Sequence, residues 1–266
     1  MRAFASLAAL TALVVAASAP ALAQVPAHPR ELKFEPLSFT PPEAAKHRRV
    51  LKNKVPAYMV EDHDLPLVTV TVLVRADSYL DPKGKEGLAS AVGSQMRAGG
   101  AGAYSAEQFD EEADFLAANI GMGLGPTSGS ASVNSLAKDA DKALDLFFDM
   151  LRKPAFQQDR FDLYKTQALQ GLERRNDNTA GIEAREWARL MYGADHFSTT
   201  PVTKASVDAM TRDDLVAFHG QWIHPGNFVL AVSGDFKPEE MAAKLEQRMA
   251  GWTAPAGAKV PPVPKP

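Results

Sequence analysis

The side chains best suited to chemistry in this sequence are its histidines, of which there are six. His63 stands in the acidic run 61–64, and His219 and His224 lie five residues apart around the end of a predicted helix. Imidazole and carboxylate groups are zinc ligands, so either group could contribute to a metal site. A histidine in a turn or at a helix end more often hydrogen-bonds a backbone group, and we expect that simpler role for both.

Two other patterns are candidates for chemistry, the serines of GLASAVGSQM and the glycine-rich stretch RAGGAGAYS. The sequence contains no G-x-S-x-G, and it offers no base for Ser90 or Ser94 as a nucleophile. The glycine-rich stretch follows a predicted helix and lacks the lysine and the strand-to-helix order of a phosphate-binding loop. We therefore expect neither a serine hydrolase nor a nucleotide site.

The overall composition is that of a folded protein with an ample core, because 45% of the 266 residues are apolar and 23% are charged. The formal net charge is -3 and the basic residues are dispersed, so we expect no nucleic-acid partner. The chain has no cysteine, which excludes disulfides and thiolate metal ligands.

The N-terminal segment 1–23 is typical of a secretory signal peptide. Arg2 precedes an apolar run over residues 3–17, and Ala21-Leu22-Ala23 forms a cleavage site of the A-x-A type. The run is short and rich in small residues for a membrane-spanning helix, which disfavours a membrane anchor. We therefore predict export and a periplasmic location.

The remaining chain divides into an extended, Pro-rich lead-in over residues 24–45, a domain over residues 46–252 and a Pro-rich linker or tail over residues 253–266. The domain pattern predicts an α+β fold, an antiparallel sheet with helices packed on it. Strands are predicted over residues 50–60 and 67–76, joined by EDHDLP as an antiparallel hairpin, within residues 121–137, and at FVLAVSGDF. Helices are predicted within residues 87–100 and over residues 106–120, 139–151, 158–176, 181–191, 211–221 and 238–249.

Six motifs occur in a characteristic order along this domain. They are the strand hairpin, DPKGKEGLA leading into a helix, DKALDLFFDMLRKPAF, a long helix ending ERRNDNTAG, LMYGADHF, and FHGQWIHPGNFVLAVSGDF. With this order, residues 46–252 resemble the first half of a subunit of the pitrilysin/insulinase family of zinc metallopeptidases. That family includes the mitochondrial processing peptidase, so the resemblance implies the fold of a half-subunit of that enzyme.

Active members of the family carry an inverted H-x-x-E-H motif on the helix that begins GLA. Two histidines one helical turn apart bind zinc, and the glutamate between them activates the zinc-bound water as general base. The motif falls here on Ser90, Ala91, Val92, Gly93 and Ser94. Both ligand positions are therefore serine, and the base position is glycine.

The resemblance also implies the position of a downstream glutamate that completes the zinc site in active members. Gln170 and Gly171 stand in that region, and Glu173 is out of register. We expect this chain to contain no catalytic residue and no metal ligand.

Non-catalytic chains of this family pair with an active H-x-x-E-H chain and help to enclose an extended peptide. The resemblance implies that role here, with zinc only in the catalytic partner and no cofactor in this chain. Subunits of the family have two such halves joined by a linker, and VPPVPKP stands where the linker would start. We therefore expect either a truncated gene product or a second half-domain supplied as a separate chain.

Two alternatives stay open. The first is an active zinc metalloendopeptidase with non-standard ligands, for example His63 or His219. The second is a stand-alone peptide-binding module that adds extended segments to an open sheet edge.

Overall fold

The computed structural model describes residues 43–265 continuously, together with residues 28, 30, 32, 34, 40 and 41. The predicted signal peptide and most of the predicted lead-in lie outside the described residues. From Glu43 onward the chain forms one compact unit. Among the described residues, no helix combines the length and the apolar character that crossing a membrane requires.

A mixed six-stranded sheet forms the centre of this unit, with the strand order β1-β2-β6-β3-β5-β4. The strands are β1 (Arg48–Val50), β2 (Pro56–Glu61), β3 (Leu67–Val74), β4 (Asn119–Leu124), β5 (Gly129–Leu136) and β6 (Phe228–Gly234). Neighbouring strands are antiparallel except β2 and β6, which are parallel. The α+β prediction is confirmed, with a sheet that is mixed instead of wholly antiparallel.

The predicted hairpin between the first two long strands is wrong, because β6 lies between β2 and β3. Val232 of β6 pairs with Met59 on one side and with Val70 on the other. Phe228, Leu230 and Val232 place one face of β6 in the core, and its pairing with β2 and β3 makes it a central strand. Residues 62–66 span the two strand spacings, about 10 Å, between β2 and β3.

Three other predicted elements also differ from the structure, and in two of them the backbone turns at a left-handed residue. The predicted strand 50–60 is broken into β1 and β2 by a turn that contains Lys54, with φ 67°. The predicted helix 106–120 ends early, and Ala117, with φ 47°, leads into β4. The single strand predicted within residues 121–137 is the hairpin of β4 and β5.

The helices cover one face of the sheet. In chain order they are α1 (Ala44–His47), α2 (Leu88–Ala98), α3 (Ala106–Phe115), α4 (Ala140–Arg152), α5 (Gln158–Arg174), α6 (Thr179–Tyr192), α7 (Lys204–Ala209), α8 (Arg212–Trp222) and α9 (Pro238–Arg248). Leu144, Phe147 and Leu151 of α4 are buried in the core, as their spacing predicts. Thr69, Thr71 and other small polar side chains of the sheet stay partly exposed.

Candidate functional site

The helix α2 carries the predicted motif positions. It follows a loop, residues 81–87, that is closed by hydrogen bonds to Asp81. Its N-terminus is held by Asp81, whose carboxylate accepts hydrogen bonds of 2.7 Å from the backbone N–H groups of Gly87 and Ala89. A carboxylate is stabilising there because the first N–H groups of a helix lack intrahelical partners. Gly87 has φ 98°, a left-handed conformation that favours glycine. The segment DPKGKEG therefore fixes where α2 starts and how it lies on the sheet.

The first motif position, Ser90, lies on the wall of a cavity of about 1060 Å³. The cavity is bounded by the loop before α2, the end of β4, residues 192–202 and the tail residues Pro264 and Lys265. Burial raises the pKa of Tyr164 above its ordinary value, and the neighbouring Ser90 hydroxyl opposes that shift. Ser90 is thus an accessible neutral hydroxyl beside a tyrosine of α5.

The base position, Gly93, is packed directly against the backbone of β4. A Cβ atom at this position would lie 2.7 Å from the backbone N of Leu124 and 3.3 Å from the backbone C and Cα of Gly123. A side chain of any size therefore requires α2 or β4 to move. The close approach of the helix to the strand depends on the glycine.

The other predicted positions are not brought to the cavity. Ser94 is half-buried on α2, while Gln170 and Gly171 are exposed on α5. A Cβ atom at Gly171 would have no heavy atom within 4 Å. Of the five positions assigned to the lost site, only Ser90 lines the cavity.

His63 and His219, the suggested alternative ligands, have other contacts. His63 Nδ1 lies 2.6 Å from Asp235 Oδ1, and this hydrogen bond raises the pKa of the exposed imidazole. His219 Nε2 donates to Leu151 O at 2.9 Å, and burial lowers its pKa. Over the described part of the chain, no group of three or more His, Cys, Asp or Glu side chains is placed to hold a metal ion.

Asp77 is a buried titratable residue that the sequence patterns did not indicate as part of a site. Its side chain is fully buried between β3 and the turn that follows, and neither carboxylate oxygen has a hydrogen-bond partner within the described residues. Burial raises its pKa to about 7. Burial also raises the pKa of Asp81 to about 6, against the hydrogen bonds from Gly87 and Ala89 that lower it. Two carboxyl groups whose pKa is raised by burial therefore lie within the loop that leads to α2.

The helix α6 presents an apolar surface that the sequence patterns did not predict. It has no buried residue, and Trp187, Leu190, Met191 and Tyr192 are 62%, 75%, 58% and 47% exposed. We call these four side chains the α6 surface. Large exposed apolar patches on a folded protein mark contact sites for proteins, membranes or ligands.

Comparison with known sequences gives one family match and several distant relatives. A family model described as the peptidase M16 inactive domain matches residues 209–266. The chain is 23% identical over 212 residues to the non-peptidase homolog YmxG of Helicobacter pylori, covering 77% of this chain and 48% of that protein. It is 21% identical over 188 residues to an uncharacterized zinc protease of Rickettsia bellii, covering 70% and 45%. The chain thus spans about half the length of these curated relatives.

Solved structures share the fold over most of the chain. A peptidase M16 inactive domain from Pseudomonas fluorescens matches with a TM-score of 0.74 and 24% identity, over 82% of this chain and 53% of that one. The first half of the periplasmic protease PqqL from Escherichia coli matches with a TM-score of 0.69 and 14% identity, over 82% and 48%. The resemblance to the M16 peptidases, the pitrilysin/insulinase family, and to the fold of their half-subunits is confirmed.

Proposed function

We propose that this chain is a catalytically inactive M16-type domain that serves as partner or scaffold of a zinc peptidase in peptide or protein processing. The proposal rests above all on Gly93, at the position of the general base, which is packed against the backbone of β4. A glycine cannot transfer a proton, and this one leaves no room for a side chain. The relatives support the same conclusion, since one is named a non-peptidase homolog and the matched family model describes an inactive domain.

The ligand positions support the loss of zinc as well. A catalytic zinc requires about three protein ligands, normally drawn from His, Cys, Asp and Glu. Ser90 and Ser94 supply neutral hydroxyl groups, and Gln170 and Gly171 supply no carboxylate. Zinc is therefore expected in the catalytic partner and not in this chain.

The partner role is supported by the α6 surface. Its side chains include tryptophan and tyrosine, which are enriched at protein interfaces. The partners we propose are a catalytic H-x-x-E-H chain and a second half-domain, because the solved structures include the first half of PqqL as well as the whole protease. PqqL is described as periplasmic, and the same location is proposed here together with the predicted signal peptide.

We predict that Trp187→Glu strongly reduces co-purification of the catalytic partner, because a charge buried in an apolar interface must be desolvated. The tagged full chain is expressed in its own cells, recovered from the periplasmic extract and analysed by mass spectrometry for an H-x-x-E-H chain, with zinc and peptidase activity measured in the eluate. The loss expected is at least tenfold, equivalent to about 1.4 kcal/mol or more of binding free energy.

Phe115→Glu is the matched control for this experiment, since Phe115 is 80% exposed on α3, away from α6. It should leave the yield of the H-x-x-E-H chain unchanged. An unaltered yield with Trp187→Glu would exclude the α6 surface as the interface. If the unaltered chain brings down no H-x-x-E-H protein, the partner role itself is wrong.

A stand-alone peptide-binding role is the second candidate, favoured by the free edge of β4. Within the described sheet this strand pairs only with β5, but on its other edge Arg97 Nε donates to Ile120 O at 2.8 Å, so a peptide would have to pair with the remaining backbone groups of β4. The same purification separates the two roles, because this candidate requires bound peptide without any peptidase chain.

A further inference from the structure

The Pro-rich tail returns to the cavity beside Ser90 and is held there by two side chains. Tyr79 Oη donates a hydrogen bond of 3.3 Å to Pro261 O, and His196 Nε2 donates one of 3.4 Å to Pro264 O. Pro264 and Lys265 form part of the cavity wall. The tail therefore contacts the domain through its backbone carbonyls. Pro264 and His196, which meet there, are more than 60 residues apart along the chain.

The spacing of the two contacts matches the geometry of a polyproline II helix. That helix has three residues per turn, so residues 261 and 264 lie on the same side of it, about 9 Å apart. The segment VPPVPKP favours this conformation because each proline fixes its own φ. Proline has no backbone N–H, so its carbonyl oxygen is the polar backbone group available for recognition.

The wall that receives the tail is aromatic. Tyr79 and Phe197 meet edge to face with ring centroids 5.8 Å apart, and the ring of His196 lies 4.4 Å from that of Phe197 and 5.3 Å from that of Tyr192. We call these four residues the aromatic wall. Grooves lined by aromatic side chains with hydrogen-bond donors at their rims are the usual receptors for polyproline II segments.

The imidazole of His196 is oriented for this contact by its own loop. The backbone N–H of Ser198 points at His196 Nδ1 at 3.4 Å, and Ser198 Oγ lies 2.7 Å from the same nitrogen. An Nδ1 that accepts these hydrogen bonds leaves the proton on Nε2, which is the atom that faces Pro264 O. The side chain is thus set to donate to the tail carbonyl.

We propose that the aromatic wall is a binding site for proline-rich extended segments and that residues 261–265 of this chain occupy it. A proline-rich peptide from another molecule would then have to displace the tail before it could reach the wall. Tyr192 belongs both to this wall and to the α6 surface, but the inference does not rest on the proposed function, because it requires neither a catalytic partner nor the loss of zinc.

The absence of cysteine from the chain makes a direct test possible. Val263→Cys in the full chain gives a single site for a nitroxide spin label, whose mobility reports whether the tail is docked. The label should be immobilised in this variant. Adding Tyr79→Phe removes one hydrogen bond and should raise the ratio of released to docked tail about fivefold. Tyr104→Phe, which removes an exposed hydroxyl on another surface, should leave the ratio unchanged.

The ligand class is tested by competition in the same labelled chain. A synthetic peptide of residues 257–266 should mobilise the label, whereas the same peptide with alanine in place of its four prolines should not. A label that is already mobile in the Val263→Cys chain would overturn the proposal. Equal mobilisation by the two peptides would overturn the assignment of the wall to proline-rich segments.

Discussion

Gly93→Ala should lower the free energy of unfolding by about 2 kcal/mol, as expected when a methyl group is forced into a closed contact. The added Cβ would meet the backbone N of Leu124 at 2.7 Å. A backbone atom in a sheet cannot rotate away as a flexible side chain can, so α2 or β4 must shift. The usual gain from replacing a helical glycine by alanine, about 1 kcal/mol, is therefore outweighed. Urea unfolding followed by circular dichroism measures the change.

Gly171→Ala is the matched control, because Gly171 is helical and its Cβ would meet nothing within 4 Å. It should stabilise the chain by about 0.5–1 kcal/mol through reduced entropy of the unfolded state. If Gly93→Ala stabilises the protein as Gly171→Ala does, α2 does not pack on β4 as described. The steric part of the argument from Gly93 would then fail, while the inability of glycine to transfer a proton would stand.

Asp77→Asn should remove a decline in stability that accompanies rising pH. The pKa of Asp77 is raised from 3.8 to about 7 in the folded chain. The folded state therefore keeps its proton through a range of pH in which the unfolded state has lost it, and stability falls as pH rises through that range. The variant should gain about 2 kcal/mol over the unaltered chain between pH 5 and pH 7, with no further gain above pH 8.

Unfolding free energies of the two proteins at pH 5, 6, 7 and 8 provide this test, because every other titrating group contributes equally to both and cancels in the difference. Asp81, whose pKa is raised to about 6, is retained in the variant and leaves a smaller decline that ends near that pH. A difference between the two proteins that stays constant from pH 5 to pH 8 would mean that the carboxyl group of Asp77 ionises normally.

Local sequence patterns predicted most of the helices but could not predict the order of the strands in the sheet. Leu144, Phe147 and Leu151 recur at the helical period and lie in the core as expected. The hairpin of β2 and β3 failed because β6, more than 150 residues later, pairs with both strands. The apolar residues of β6 indicate burial but carry no information about which strands will be its neighbours.

The candidate site was predictable in identity but not in geometry. The sequence shows serine and glycine on α2, and the family resemblance identifies their positions as those of the zinc ligands and the general base. The tight packing of Gly93 on β4 required coordinates, since it depends on the distance between two distant segments. Coordinates were also needed for Asp77, because the sequence RADSYL does not show that its carboxylate lacks a hydrogen-bond partner. The contacts of the tail with Tyr79 and His196 likewise join segments that are distant along the chain.

The central claim is that this chain does not carry a catalytic metal site, and its zinc content tests that claim most directly. The chain is purified without chelators, incubated with excess zinc, desalted and measured for zinc per chain and for peptidase activity. We expect far less than one zinc per chain and no activity that a chelator abolishes. One tightly held zinc per chain, together with chelator-sensitive cleavage of peptides, would show that the chain is itself a zinc peptidase.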